Sequence, residues 1–451
     1  MNLMLFALDE HMFNAFCEAG HAPRVWVRTG TRRGEFHTGD TIVYYHSPLK
    51  YGEVEPVFVK DFPERLYKRA WEQAYPYFIR NINRTERSPQ DRFRSWADYH
   101  HQFHIMLHWY YRLLREREID TIVWDNTPHG GTTMGLFFLA REMGIRNIIG
   151  YQTLFPNRFF FMEDFRDLGL YKTSARTGVK TSIELREQPE APYYMKDRDT
   201  PWSVRKRMVA AQIARLLNPI RRRLTGIDKS RQKRREFHTL RQRLRMMRLQ
   251  EGIPRQVDFS RPYVYFPLHF QPELTIDVFG DEFADQLSAV EALRRMLPDE
   301  VHIYVKENPK QTTYAREEHF YKRLSAIPNT TYVNFEVDTY DLIRNSLAVA
   351  TVVGTAGWEA LQMGKPVITF GYAWYRCLPG VFDWRKGVSW DDVANFHYDR
   401  QRLEEAVADM ADHFYEGCIM PKGYASQVPG FDPEENGRLI QKAVVHHLEN
   451  V

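Results

Sequence analysis

The chain has 451 residues, of which 43% are hydrophobic and 27% charged, and its formal net charge is +4 at pH 7. This composition excludes a mainly disordered chain, and the length predicts two or three domains. No run approaches the roughly 18 apolar residues of a membrane-spanning helix. The start of the chain lacks the basic region of a signal peptide, and its three cysteines are too widely spaced for a disulfide framework or a zinc motif. These features predict a cytoplasmic protein.

The positive charge is concentrated in one segment, residues 201–250. It holds sixteen Lys or Arg and two acids, a local charge of +14 that leaves −10 for the rest of the chain. Such a segment favours a polyanion or an anionic membrane surface as its partner. Because its basic residues alternate with Leu, Met, Ile and Trp202, and no nucleic-acid-binding motif accompanies them, we expect a membrane surface and no nucleic acid. A solvated linker is the simpler alternative.

The first 165 residues alternate between short apolar strands and helices. Strands are predicted at Leu3–Leu8, Val25–Arg28, Ile42–Tyr45, Ile119–Asp125 and Asn147–Tyr151, and helices at Pro63–Ile82, Phe93–Glu116 and from Thr132 or Thr133 to Met143. In the two long helices, apolar residues recur every three or four positions. The order strand, loop, helix, glycine, strand after residue 118 is typical of a parallel sheet. Residues 1–165 are therefore predicted to form a Rossmann-like domain, the N-terminal one, to which the family resemblance given below assigns the acceptor side.

The remaining chain divides into three parts. Residues 166–258 contain the helical stretches Arg205–Leu217 and Arg231–Leu249 without an apolar face wide enough for a core, which predicts a basic helical insertion. Regular alternation in residues 259–395 predicts a second Rossmann-like domain. Its strands are predicted at Tyr263–Pro267, Val301–Lys306, Thr331–Phe335, Leu347–Val353 and Val367–Phe370, and its helices at Glu282–Met296, Glu317–Ala326, Thr339–Asn345 and Trp358–Met363. Residues 396–451, with a helix at Pro433–Asn450, are expected to pack back across both domains.

The glycine-rich sequence Gly354-Thr355-Ala356-Gly357 follows a predicted buried strand and leads directly into a helix. Glycines allow a ligand to approach the backbone closely, and a helix N-terminus offers N–H groups and a partial positive charge. These four residues are therefore predicted to bind the phosphates of a nucleotide, with the Thr355 hydroxyl as a further donor. Glu359, one turn into the helix, is predicted to accept hydrogen bonds from ribose hydroxyls. A tight turn packed through its glycines is the structural alternative.

Two further stretches follow predicted strands of the same domain, at the sheet edge where open α/β sheets bind ligands. Lys306 is expected to pair with phosphate and Asn308 to hydrogen-bond base or phosphate, and a solvated loop is the alternative. His269, Gln271 and Glu273 alternate, so in an extended stretch they point to one side. Their convergence predicts acid–base catalysis by His269 or Glu273 and ligand binding by Gln271.

Asp125 and His129 lie at the end of a predicted strand of the first domain, just before a helix. This position faces the cleft if two such domains oppose each other. Asp125 or His129 is therefore predicted to act as the general base for an acceptor hydroxyl. A helix-capping role for Asp125 is the alternative.

Three histidines, His100, His104 and His108, recur at every fourth position of one predicted helix. A zinc site needs three or four converging ligands, and a spread over two helical turns does not favour that geometry. Aromatic-rich helices commonly carry partly buried histidines. We therefore expect no metal site.

The motifs Tyr263–Glu273, Val305–Pro309 and Gly354–Val367 occur in this order. Together they resemble the bacterial capsule polysaccharide biosynthesis proteins, a family related to the capsular Kdo transferases. The resemblance covers Tyr263–Tyr375, about a quarter of the chain. Many relatives place His before the proline of the second motif, where this chain has Asn308. Asn donates a hydrogen bond but carries no charge and transfers no proton, so the donor sugar and its nucleotide stay open.

The resemblance implies a GT-B fold, in which two Rossmann-like domains face each other with a nucleotide-sugar in the C-terminal one and the acceptor in the cleft. It implies a glycosyltransferase that extends a capsular or other surface polysaccharide or glycolipid at the inner face of the inner membrane. No cofactor is expected beyond the nucleotide-sugar substrate. Because neither predicted cleft loop carries an Asp-x-Asp motif, we expect a metal-independent enzyme in which helix dipole and cations stabilise the leaving phosphate.

Three other functions fit the same sequence. A CDP-polyol phosphotransferase would leave phosphate in the product and release CMP. A nucleotide-sugar epimerase would convert its donor without any acceptor. A non-catalytic, membrane-associated scaffold of a glycan-assembly complex would bind vesicles through residues 201–250 and no nucleotide.

Overall fold

A computed structural model describes most of the chain. The described residues are 1–50, 54–85, 96–130, 132–179, 183–186, 201–217 and 256–451 except 272, 310, 312–315 and 317, with isolated positions between 219 and 253. Their contacts divide the chain into two units, residues 1–184 with 401–451 and residues 185–400. The first unit thus runs beyond the predicted boundary at 165 and includes the C-terminal segment.

Strands and helices alternate along both units. The strands are β1 (Leu3–Phe6), β2 (Val25–Arg28), β3 (Phe36–Thr38), β4 (Thr41–Tyr45), β5 (Thr121–Trp124), β6 (Arg146–Gln152), β7 (Arg158–Met162), β8 (Tyr263–Pro267), β9 (His302–Lys306), β10 (Thr330–Val333), β11 (Ala348–Thr351), β12 (Val367–Thr369), β13 (Val381–Asp383) and β14 (Tyr415–Glu416). The helices are α1 (Glu10–Glu18), α2 (His46–Lys50), α3 (Glu64–Thr85), α4 (Trp96–Glu116), α5 (Thr133–Glu142), α6 (Pro201–Leu216), α7 (Leu274–Asp277), α8 (Gln286–Met296), α9 (Glu318–Ser325), α10 (Thr339–Asn345), α11 (Thr355–Gln362), α12 (Trp390–Ala394), α13 (Arg400–Ala411), α14 (Pro421–Tyr424) and α15 (Pro433–Asn450).

The sheet of the first unit has the order β14-β7-β6-β5-β1-β2-β4-β3. Its five central strands are parallel, whereas β3, β7 and β14 are antiparallel to their neighbours. The central strands are apolar and buried because helices cover both faces of such a sheet. The antiparallel strands are absent from the prediction, since β3 and β14 are short edge strands with little periodic signal and β7 has a buried run too short to be distinguished from a helix.

The C-terminal helix α15 packs on α1 and β14 within the first unit. Gly437 allows the close approach, because a Cβ there would lie 2.5 Å from the backbone oxygen of His11. Ile440 and Val444 of α15 are fully buried in the same hydrophobic cluster as Phe16 of α1. The helix has the predicted bounds, and these contacts place it in the first unit, whereas the sequence led us to expect packing across both domains.

The sheet of the second unit has the order β10-β9-β8-β11-β12-β13, and all its strands are parallel. The chain runs outward from β8 to β10, then crosses to the other side of β8 and runs outward again from β11. The strand order therefore reverses between β8 and β11, as in doubly wound nucleotide-binding folds. This confirms the predicted α/β class, with one mixed sheet that has a parallel centre and one fully parallel sheet.

The predicted basic insertion is described mainly through α6. Val204, Met208 and Ala211 on one face of α6 contact Leu240 and Leu244. Most of the predicted helix Arg231–Leu249 lies outside the described residues. In the parts of the chain that the structure describes, no helix is both long and apolar enough to cross a bilayer.

Candidate functional site

The reversal of strand order in the second unit brings two loops together. β8 and β11 are adjacent, with Val264 opposite Ala348 and Tyr265 opposite Val349. Both strands run in the same direction, so the loops that follow them leave the sheet at the same edge. His269 lies in the loop after β8 and Gly354 in the loop after β11. In open α/β sheets this edge, at the point of reversal, is where ligands bind.

The imidazole of His269 is held by the β11 loop. The backbone N–H of Val353 donates to Nε2 over 3.2 Å, and the hydroxyl of Thr351 lies 3.2 Å from the same nitrogen. A backbone amide can only donate, so Nε2 accepts and the proton of the neutral ring is on Nδ1. Burial, with Arg316 nearby, lowers the pKa of His269 to about 3.

The neutral state of His269 changes its expected role. Its basic nitrogen, Nε2, is already an acceptor for the backbone, and the ring does not take up a proton near neutral pH. Among the described residues, none accepts a hydrogen bond from Nδ1–H. The proton-accepting role predicted for His269 stays a prediction, and the contacts of Nε2 favour a neutral ring that donates through Nδ1.

Gly354 packs directly over His269. Its φ of −73° is ordinary, but a Cβ there would lie 2.8 Å from Thr351 Oγ1 and 3.1 Å from His269 Cε1. Its N–H donates to Thr351 Oγ1 over 3.1 Å, which leaves the Thr351 hydroxyl hydrogen for His269. Glycine is therefore required here by close approach and not by backbone conformation.

Gly354 is the N-cap of α11, and the next two residues, Thr355 and Ala356, begin the helix. The backbone N–H groups in the first turn of a helix have no partner within the helix. They point outward from its N-terminal end and attract anions. Tyr375 donates a hydrogen bond to the Gly354 carbonyl and packs closely against Gly357, where a Cβ would collide with its hydroxyl. Tyr375 thus holds a loop that ends in an anion-attracting helix N-terminus.

Glu359 lies one turn into α11 and is 8% exposed. Burial raises the pKa of its carboxyl to about 7, and the nearby Lys306 ammonium opposes that shift. Within the described part of the chain, no donor forms a hydrogen bond with this carboxylate. A buried carboxylate lacking such a donor suits ligand hydroxyls, and its contact with ribose stays a prediction.

Lys306 points inward from the end of β9. Its ammonium donates to the Val337 carbonyl over 2.5 Å and to Thr339 Oγ1 over 2.7 Å, and the residue is 4% exposed. These contacts hold the charge beside Glu359. The structure therefore places Lys306 as a buried counter-charge and not in the solvated loop that was the alternative, and its pairing with phosphate stays a prediction.

The three alternating residues after β8 do not converge. The Gln271 amide donates to the Ala284 carbonyl over 3.0 Å and accepts from Gln286 over 3.1 Å, so it braces the loop. Glu273 is exposed and accepts from the Thr275 hydroxyl over 3.0 Å. The expected convergence is not seen, because the His269 ring contacts the loop after β11, the Gln271 amide contacts Ala284 and Gln286, and Glu273 is exposed. Asn308 contributes its backbone, with its N–H donating to Glu307 over 2.9 Å.

The structure contains a buried ion pair next to His269 that the sequence analysis did not predict. Arg316 binds Glu307 through two nitrogens at 2.7 and 3.0 Å, and the two side chains are 5% and 2% exposed. Arg316 also donates to the His269 carbonyl over 2.9 Å. The signal available in the sequence was an acid directly after a buried strand, and nothing local indicated its partner.

Asp125 and His129 lie in the first unit, after β5. Burial raises the pKa of Asp125 to about 7. His129 Nδ1 lies 2.6 Å from the Thr127 carbonyl, which can only accept, so Nδ1 carries the proton and Nε2 is the basic nitrogen of the neutral ring. A pKa near 7 places the ionisation of the Asp125 carboxyl in the pH range in which a general base works.

The histidines of α4 pair with tyrosines and with each other. Tyr75 hydroxyl lies 2.9 Å from His100 Nδ1, the Nε2 atoms of His100 and His104 are 3.1 Å apart, and Tyr67 contacts His104 Nδ1. In the described ranges, no group of three or more His, Cys, Asp or Glu is placed to hold a metal ion. The metal-independent mechanism stays a prediction.

Comparison with known proteins identifies the family pattern in the second half of the chain. Residues 222–419 match the profile of a family described as capsule polysaccharide biosynthesis protein. The matched range contains all three motifs that carried the resemblance, which is thereby confirmed. Among curated proteins, no significant match is found.

Several solved structures show a remote likeness. The Thermosulfurimonas dismutans KpsC beta Kdo 2,7 transferase is 13% identical, covers 81% of this chain and 95% of its own, and has a TM-score of 0.33. The Thermosulfurimonas dismutans KpsC beta Kdo 2,4 transferase is 15% identical, covers 71% of this chain and 87% of its own, and has a TM-score of 0.34. The Methanocaldococcus jannaschii UDP-GlcNAc 2-epimerase is 11% identical, covers 99% of this chain and 100% of its own, and has a TM-score of 0.25. At such low scores the fold assignment depends on the two sheets themselves.

Proposed function

We propose that this chain, whose residues 222–419 carry the pattern of the capsule polysaccharide biosynthesis family, is a glycosyltransferase. It moves a sugar from a nucleotide-sugar to a growing capsular or other surface polysaccharide or glycolipid. The observation that supports the proposal best is the meeting of His269 and Gly354 at the reversal point of the second sheet, with a buried Glu359 close behind. That edge is the nucleotide site of doubly wound folds.

In this proposal the donor binds through four kinds of contact. The first-turn amides of α11 and the Thr355 hydroxyl hold the phosphate, where the helix dipole favours negative charge. His269 adds a neutral N–H donor from Nδ1. Glu359 accepts from ribose hydroxyls, and the Lys306 ammonium beside it favours the charged form of this carboxylate. Because donors that are already positioned need no reorganisation, they stabilise the charge that develops on the leaving phosphate.

The transfer step needs a base for the acceptor. The acceptor hydroxyl oxygen forms a bond to the anomeric carbon, while the bond from that carbon to the phosphate oxygen breaks. The hydroxyl proton passes to Asp125 or to His129 Nε2, and the negative charge leaves with the nucleotide. We assign the base to these two residues because His269 is held as a donor and Glu273 is exposed.

We also propose that the enzyme works without a metal and at the cytoplasmic face of the inner membrane. The acceptor would be extended there before export, and the basic segment 201–250 would contact the anionic surface. The reasons are the family pattern, the anion-attracting end of α11 and the charge of +14 in that segment.

The donor class is tested by thermal stabilisation with CMP, CDP, UDP, GDP and their sugars. A ligand at about 100 times its dissociation constant adds roughly 2.7 kcal/mol of stability, which gives a visible shift in Tm. We expect one nucleotide class to stabilise the protein, and we expect Glu359→Gln to weaken the shift. No shift with any nucleotide would contradict the proposal.

Turnover with the stabilising donor separates the transferase from its rivals. A transferase releases nucleotide only with acceptor present and places the sugar, without phosphate, in the product. Conversion of the donor in the absence of acceptor would indicate an epimerase. Phosphate in the product together with CMP would indicate a phosphotransferase.

A further inference from the structure

The helix α6 carries apolar side chains on two opposite faces. Val204, Met208 and Ala211 form the packed face, against Leu240 and Leu244. Val204 and Ala211 are 0% and 2% exposed, so this face has a partner within the chain. This packing accounts for the apolar residues on one face of α6 and not for those on the opposite face.

The opposite face exposes a row of large apolar residues. Trp202, Val209, Ile213 and Leu216 are 69%, 58%, 52% and 70% exposed. Helical periodicity places these four positions along one side of α6, which we call the exposed stripe. Single exposed apolar residues are normal on proteins, but a continuous row marks a surface that binds something.

Basic side chains border the exposed stripe. Lys206 lies along it, with its ammonium 5.2 Å from the centre of the Trp202 ring. Arg205 is exposed beside it, and Arg241 is exposed on the segment that packs on α6. The surface therefore combines apolar insertion groups with cations, and residues 201–250 supply a charge of +14.

We propose that the exposed stripe inserts into the surface of an anionic phospholipid bilayer, with α6 lying parallel to the membrane. Trp202 and the aliphatic residues enter the region between headgroups and acyl chains, while Arg205 and Lys206 pair with lipid phosphates. A helix of sixteen residues is about 24 Å long and polar on its borders, so it lies on the bilayer and does not span it. The inference rests on the membrane location in the proposed function and not on the transfer chemistry.

Charge and side-chain type favour lipid over two other occupants. Nucleic acid would use the cations and aromatic stacking, but it gives no reason to expose Val209, Ile213 and Leu216. A second copy of this chain would bring two segments of +14 together, and like-charge repulsion opposes that contact. A bilayer with acidic headgroups satisfies both the charge and the apolar stripe.

The test is flotation of the full-length protein with two kinds of vesicle. One is pure phosphatidylcholine, and the other contains about 30 mol % phosphatidylserine, which models an anionic leaflet. We expect binding to the anionic vesicles, weakening in high salt, and little binding to the neutral ones. The Trp202→Phe variant should lose the blue shift in tryptophan emission that accompanies insertion.

Two double variants separate the stripe from its charges. Val209→Ser with Ile213→Ser removes apolar area at exposed positions, and we expect at least tenfold weaker binding. Arg205→Gln with Lys206→Gln removes two charges, each worth about fivefold in affinity near an anionic surface. Leu347→Ser is the matched control, because Leu347 is 45% exposed in the second unit, outside this segment.

The outcomes are distinguishable from failure of the transferase proposal. Unchanged Tm and an unchanged nucleotide-induced shift show that each variant is folded with its donor site intact. Equal vesicle binding by the wild type and the Val209→Ser, Ile213→Ser variant would overturn the proposal that the exposed stripe inserts into the membrane. Absence of vesicle binding by the wild type would overturn it as well. Loss of a dimer in the same variant, with vesicle binding retained, would assign the stripe to a second copy instead.

Discussion

At the scale of single residues, the protonation state of His269 decides what the site can do. The Val353 amide and the Thr351 hydroxyl converge on Nε2, and Nδ1–H is the group that we propose contacts the donor. Gln can replace Nε2 as an acceptor, whereas Asn places an amide N–H near the position of Nδ1. The two substitutions therefore separate the structural contact from the contact with the donor.

We expect His269→Gln to keep most of the thermal stability and to lose donor affinity by about tenfold, since one good hydrogen bond is worth about 1 kcal/mol or more. His269→Asn should show the reverse, with lower Tm and better-retained donor affinity. Thermal melts and nucleotide titrations measure both quantities. Full activity in both variants would contradict a role for this ring.

The Asp125 carboxyl has a pKa raised to about 7 by burial. A base works only when deprotonated, so we expect kcat to rise with pH through about 7 and to level off above it. Asp125→Asn should lower kcat by roughly 10²- to 10⁴-fold and remove this limb of the profile.

The matched variants for this profile are His129→Gln and Glu359→Gln. Glu359 also has a pKa of about 7, but its proposed contact is the donor ribose, so its titration should appear in KM for the donor and not in kcat. If His129→Gln abolished the rise of kcat with pH and Asp125→Asn kept that rise, the base would be His129.

At the scale of elements, the Glu307–Arg316 pair joins the ends of β8 and β9. We expect Arg316→Met to cost about 3–5 kcal/mol, because it leaves a buried carboxylate without its counter-charge. Adding Glu307→Gln should recover part of that loss. Urea unfolding of both single variants and the double variant measures the coupling, and strict additivity of the two losses would contradict a buried pair.

The start of α11 depends on the absence of a side chain at Gly354. We expect Gly354→Ala to displace His269, because its Cβ would lie 2.8 Å from Thr351 Oγ1, and to weaken donor binding at least tenfold. Its φ of −73° suits Ala, so backbone strain does not contribute. Gly423→Ala is the control, since a Cβ there meets nothing within 4 Å. Nucleotide titration of the two variants gives the comparison, and equal affinity would refute the close packing.

Most elements of the second unit were predictable from the sequence, and some within one residue. The strand Tyr263–Pro267 and the helix Thr339–Asn345 have their predicted bounds. Buried parallel strands are continuous apolar runs ended by Gly, Pro or polar residues, and that signal is local. The site was less predictable, because the side chains that hold it come from distant positions, as His269 and Val353 show.

At the scale of the whole molecule, the C-terminal helix completes the core of the first unit and brings an unusual residue into it. His447 is fully buried, and neither ring nitrogen has a hydrogen-bond partner in the described part of the chain. Burial, with Arg146 nearby, lowers its pKa to about 3. Unfolded histidine has a pKa near 6.5, so below that pH the unfolded state binds more protons and stability falls as the pH drops.

We expect His447→Leu to stabilise the protein by about 1–2 kcal/mol at pH 7, since it removes unpaired buried polar atoms. It should also flatten the loss of stability between about pH 6.5 and pH 4. His446→Leu is the neighbouring control, because His446 accepts or donates a 3.0 Å hydrogen bond with Tyr415 and its removal should destabilise. Urea unfolding at several pH values measures the free energy of unfolding of both variants. A His447→Leu variant less stable than the wild type would contradict the cost that we assign to the buried imidazole.

The sequence by itself determined the α/β class, the repeated parallel sheets, the family resemblance and the glycine loop at Gly354. These features are local or periodic, because strands, helix ends and close-approach glycines each leave their own short pattern. Only the tertiary structure decided that the C-terminal helix joins the first unit, that Arg316 pairs with Glu307, and that Nε2 of His269 accepts from the Val353 amide. Each of these depends on which distant groups share one buried space, and burial with specific partners sets both pairing and pKa.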